Sequence, residues 1–171
     1  MRELVGRWSH VIPHRPHLAL IRRVLAPVPD HWYLALGHLA YFHSWPNYRE
    51  PRTFNEHIQA YMLRSRNPLL KVAADKLAMR EYIAREVGSE YLVPLLGVWL
   101  DASDVPLEKL PVPCVIKASV GSGMVLMVHD RDAATIKHCR KQMERWLKRD
   151  YSKLHREWAY ENLPRRIIAE P

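Results

Sequence analysis

The stretch Pro113-Cys-Val-Ile-Lys-Ala-Ser-Val-Gly-Ser-Gly-Met-Val-Leu-Met-Val-His129 decides how the chain is read. Pro113 to Ala118 is a short apolar run carrying one lysine, and Met124 to Val128 is a second apolar run closed by Asp130. Val120-Gly-Ser-Gly123 stands between them, so the spacing predicts strand, glycine turn, strand. Glycines let backbone N–H groups approach an anion closely, and Lys117 adds a point charge, which suits a phosphate clamp. The same residues also make an ordinary hairpin whose lysine reaches water. The stretch alone fits both readings.

Downstream, Asp132 is placed to cap a helix running to about Arg149, with Ile136, Cys139, Met143, Trp146 and Leu147 at helical spacing. Its other faces are basic. Between Lys137 and Arg156 stand eight Lys/Arg (137, 140, 141, 145, 148, 149, 153, 156) against Glu144 and Asp150. Such a patch suits a polyanion, either an anionic polysaccharide precursor or the inner membrane surface. A solvated helix face is the alternative, and it is the commoner origin of a charge run. No aromatic platform or DNA-binding motif is interleaved, so no specific nucleic acid is expected as a partner. Leu163-Pro164 interrupts the chain, and Arg166-Ile-Ile-Ala-Glu170 reads as a final strand.

Upstream, Leu95 to Trp99 is a predicted strand, and a proline-bearing connection (104–111) leads from it into the hairpin. One helix is predicted from about Leu70 to Val87. Val72, Met79, Ile83 and Val87 lie near one face, with Lys71, Lys76, Arg80 and Arg85 away from it, and Gly88 sits at the C-cap. By this pattern alone Lys76 is a solvated helix residue. Thr53-Phe-Asn-Glu56 is a capping box opening a further helix, which Asn67-Pro68 breaks. Asp30 is expected to cap an apolar helix reaching about His43, and Trp45-Pro-Asn-Tyr48 is a turn. His17 to Ala26 reads as a short helix. His10, His14 and His17 flank Pro13 and Pro16, with no interleaved cysteine or acid, so no metal ligand set is assigned to them. The fold class is α+β: a helical N-terminal part (1–88), then a small mixed sheet with helices (89–171).

With 48% hydrophobic and 26% charged residues among 171, the composition is that of a globular protein with room for a core. Cys114 and Cys139 cannot build a disulfide framework, and both fall in apolar patterns. Buried free thiols and a reducing, cytoplasmic setting are therefore expected. The longest apolar run, Trp32 to Phe42, is too short to span a bilayer, and the net charge of +8 is compatible with peripheral binding at the inner membrane. Trp99, Trp146 and Trp158 are expected to pack in cores. His129 beside Asp130 fits a proton-transfer pair or a plain strand-end turn. No Ser/His/Asp or Cys/His set names a nucleophile.

Six motifs stand in order: Pro51-Arg-Thr-Phe-Asn-Glu56, Arg66-Asn-Pro68, Ala74-Asp-Lys76 with Arg80, Tyr91-Leu-Val-Pro-Leu-Leu-Gly-Val-Trp99, Val115-Ile-Lys117 with Gly121-Ser-Gly123, and Arg166-Ile-Ile-Ala-Glu170. Together they resemble the TupA-like ATP-grasp family of teichuronopeptide and polysaccharide biosynthesis, over roughly residues 18–171. Members of this family are often labelled glycosyltransferases. The resemblance implies an ATP-dependent carboxylate–amine ligase. In it Lys76 and Lys117 would contact the nucleotide, Gly121, Ser122 and Gly123 would close over the phosphates, and Glu170 would sit at the hinge near the adenine amino group. The chemistry is coherent, because phosphoryl transfer is mostly positioning and charge neutralisation. Val120 and Ser119 depart from the family, which usually has His and often Asn there. The resemblance also implies a second lobe after the hinge that carries the Mg²⁺ ligands. The sequence ends at Pro171, so a truncated ATP-grasp fold is expected, with those ligands outside this chain. A glycosyltransferase is the first alternative, although Asp101-Ala-Ser-Asp104 only loosely echoes its acidic metal motif. A non-catalytic basic binding module is the second.

Overall fold

The computed structural model describes residues 25–171. The histidines at 10, 14 and 17, and most of the short helix expected from His17, lie outside the described residues. The chain divides into two compact units between Ser65 and Arg66, earlier than the change of sequence pattern at Gly88.

In the first unit, helix α1 (Asp30–Phe42) and helix α2 (Phe54–Arg64) account for the helical pattern. Pro29 takes the N-cap position of α1, so Asp30 falls inside the first turn instead of capping it. The helix ends where His43 adopts a left-handed conformation and donates its N–H to Leu39. Helix α2 opens on the capping box: Thr53 Oγ1 accepts from Glu56 N, and Glu56 Oε2 accepts from Thr53 N at 2.8 Å. Glu56 goes further, accepting from Arg52 N at 2.9 Å and from Asn47 N at 2.8 Å. One carboxylate thus fixes both the helix start and the turn before it, and these donors hold its pKa down to about 2. Gln59 Oε1 joins the buried His38 ring (2.9 Å) and the Tyr48 hydroxyl (3.0 Å).

The second unit is α+β. Its sheet has the order β1 (Gly97–Trp99), β4 (Ile167–Glu170), β2 (Cys114–Ala118), β3 (Val125–Val128), and every pairing is antiparallel. The predicted hairpin is β2 and β3, with Lys117 opposite Val125. The predicted final strand is central, pairing with β2 on one side and β1 on the other. Strand alternation divides the sheet into two faces. Cys114, Ile116, Val128, Ile167 and Ala169 point into the core with Trp99 and Leu126. That core is closed by helix α5 (Ala133–Lys148) through Cys139 and Met143, and the half-buried Ile136, Trp146 and Leu147 complete it. Asp132 caps α5 as expected, accepting from Ala134 N and Thr135 N. Val105, Leu107 and Leu110, from the proline-bearing connection, are buried in the same cluster. Both cysteines are free and buried, and burial pushes both thiols up.

The single helix expected from Leu70 to Val87 is two helices, α3 (Leu69–Ala74) and α4 (Lys76–Glu86). Asp75 separates them with an extended backbone and forms an isolated bridge to Val120 in the glycine turn. Periodicity could not reveal this, because the break is made by a partner far along the chain. The break also explains why residues 66–88 belong with the sheet. Three short elements went unpredicted: a 3-10 turn at Ser89–Tyr91, helix α6 (Tyr151–His155) and a 3-10 turn at Trp158–Tyr160.

Candidate functional site

Asp75 is the pivot of the site. Its side chain is 3% exposed, accepts from Leu77 N at 3.0 Å and so caps α4, and pairs with Arg166 Nη2 at 3.1 Å. The first residue of α4 is Lys76. Its backbone N–H donates to Ser119 O at 2.9 Å, and its ammonium donates to Gly121 O at 2.8 Å. The lysine therefore spans from the helix start to the loop tip, which is not the solvated position that spacing suggested. Burial lowers its pKa, and the nearby Lys117 charge lowers it further.

Lys117 leaves β2 on the sheet face opposite the core. Its ammonium forms an ion pair with Glu170 Oε2, which lies diagonally across on β4, two residues beyond Ile168, the residue opposite Lys117. Glu170 Oε1 lies 3.4 Å from Arg80 Nη1, and Arg80, one turn beyond Lys76, also donates to Val93 O. The Glu170 side chain is 11% exposed, so this is a largely desolvated carboxylate shared by two cations. Val98, Val125 and Met127 alternate onto the same face and are exposed, giving the charged cluster an apolar surround.

The glycine turn is held from beneath. Gly121 has φ +94° and is buried; a Cβ there would come 2.4 Å from Met124 Cε and 2.7 Å from Tyr151 Cδ2. Gly123 has φ +72° and open space where a side chain would be. The turn thus requires glycine for backbone conformation at both positions, and for space at Gly121 only. Ser122 and Gly123 are exposed at the tip.

The residues singled out in the sequence fall into two linked groups, Lys76 with Gly121 and Lys117 with Glu170. The two groups meet where Lys117 acts on the Lys76 charge. Asp75, Tyr151 and Arg166 were not given roles from sequence. An Asp ahead of Lys76 inside a helical run is the one signal that could have marked the cap. Among the described residues no group of three or more His, Cys, Asp or Glu could hold a metal ion. Asp101 of the loose acidic motif is engaged locally, accepting from Ser103 N at 2.8 Å and Ser103 Oγ at 2.7 Å.

The family-model match shows an ATP-grasp-related protein. Residues 56–171 match the family model described as TupA-like ATPgrasp, and the chain belongs to that family. Comparison with curated proteins and with solved structures gives no match.

Proposed function

We propose that this chain supplies one wall of a nucleotide site in an ATP-dependent carboxylate–amine ligase of cell-surface polysaccharide biosynthesis. The observation that carries the reading is the meeting of Lys76, Lys117, the 121–123 turn and Glu170 on one side of the sheet. Bound ATP would supply a phosphoryl group that turns a carboxylate into an acyl phosphate open to amine attack. The residues of this chain bind and orient. Lys76 is a cation whose charge is disfavoured by burial and by Lys117, so a phosphate arriving there offsets an existing cost. It would exchange the Gly121 carbonyl for phosphate oxygen, which frees the turn to present its amides. Glu170 holds Lys117 and Arg80 in place and is the acceptor available to an adenine amino group at the face lined by Val98, Val125 and Met127. The residues fit the nucleotide.

Thermal melting with millimolar ATP tests the reading, with and without Mg²⁺. The wild-type chain should shift upward, and bound ATP should shield Lys117 from acylation. Lys117→Met should lose the shift while Lys109→Gln, exposed and outside this cluster, keeps it. Absence of both shift and shielding in the wild type overturns the proposal. Turnover of a sugar nucleotide without ATP would replace it with the glycosyltransferase reading.

A further inference from the structure

Six of the eight cations of the basic segment fall into two kinds. Arg140 is structural: its guanidinium donates to Ala102 O at 2.9 Å and Ser103 O at 3.0 Å, and lies 3.6 Å from Glu108 Oε1. Lys153 pairs with Asp150 at 3.5 Å. Lys137, Lys141, Arg145 and Lys148 are different. All four are exposed, and at 3.6 residues per turn they fall within a sector about 80° wide, directly opposite the core residues Cys139 and Met143. Glu144 sits at the margin of this sector. The stripe runs most of the length of α5. Arg140 ties Ala102 and Ser103 to this helix, and Leu100, 73% exposed, stands just before that tie.

We infer that this face of α5 docks on an anionic lipid bilayer, with the four cations over the headgroups and Leu100 entering the interface. A row of cations along one helix face matches a plane of negative charge, and a solvent-facing leucine in the segment tied to that helix adds an apolar anchor. No exposed Phe, Tyr or Trp stands among residues 133–148 for base stacking, since Trp146 is half-buried against the core and the one exposed ring is the small His138 imidazole.

Co-sedimentation with vesicles of phosphatidylglycerol and phosphatidylcholine tests this. The wild-type chain should bind these vesicles at 50 mM salt, release at 500 mM, and ignore pure phosphatidylcholine. Each cation at such a surface contributes roughly fivefold, so Lys137→Gln with Lys141→Gln should weaken partitioning about 25-fold. Leu100→Ser should weaken binding as well, and Lys109→Gln should leave it unchanged. Equal partitioning of wild type and the double variant overturns the inference. So does binding of inorganic polyphosphate through the stripe without binding of vesicles. No nucleotide enters the assay, so its outcome is independent of the ATP experiment.

Discussion

Replacing Asp75 separates the two things its carboxylate does. Asp75→Ala removes an N-cap worth about 1 kcal/mol. It also leaves the Arg166 guanidinium without its carboxylate, which costs about 1–3 kcal/mol for a partly buried charged group. Arg166 has little slack, since its Nε is already buried without a hydrogen-bond partner and its side chain is 29% exposed. The expected total is about 2–4 kcal/mol, or a melting point lower by about 4–16 °C at roughly 2–4 °C per kcal/mol. Asp75→Asn caps a helix as well as Asp does, so it should recover about 1 kcal/mol and lose only the charge pairing. Urea unfolding of both variants, with Arg166→Met completing a double-mutant cycle, measures each part. The reasoning also requires Asp75→Ala to weaken ATP binding, because the cap sets where Lys76 begins. An Asp75→Ala protein within about 0.5 kcal/mol of wild type, in the range of a neutral surface change, would refute the account, as would Asp75→Asn proving no better than Asp75→Ala.

Glu56 gives a pH signature in the first unit: its folded pKa of about 2 lies below the ordinary 4.5, so its contribution is present above 4.5 and is lost as pH falls toward 2. Melting curves across that window should show less pH dependence in Glu56→Gln than in wild type. In the glycine turn, Gly123→Ala should cost about 1 kcal/mol, the ordinary left-handed penalty. Gly121→Ala should cost more, because a Cβ there collides with Met124 and the Tyr151 ring. Denaturant titration ranks the two, and an equal cost would mean that Tyr151 does not hold the turn.

The elements legible in sequence are those whose cause is local. The Thr53–Glu56 box and the Asp132 cap are each written within a few residues, and both form as written. The β2–β3 hairpin is local too, two apolar runs around a glycine turn. The break at Asp75 is only partly local: the helical pattern of residues 70–87 continues straight through it, and the extended backbone there goes with the Asp75 cap together with the distant bridge to Val120. Lys76 was consequently legible as a site residue through family resemblance and not through periodicity, which sets it in solvent. Val105, Leu107 and Leu110 look like linker because prolines and charges surround them, yet they fill the core. Tyr151 sits in a five-residue helix, too short for any period to emerge, and its contact with Gly121 depends on the folded sheet.

The strand order carries a kinetic consequence. Among the described residues Gly97–Trp99 pairs with one strand, Ile167–Glu170, about seventy residues later. On a ribosome making about 5–20 residues per second, β1 would stay unpaired for roughly 3–14 seconds after its synthesis. During that interval the β2–β3 ribbon can zip by itself, but its inner edge lies open until β4 arrives to lock both sides at once. A nascent chain paused in this window would expose two strand edges, and holdase capture should peak there.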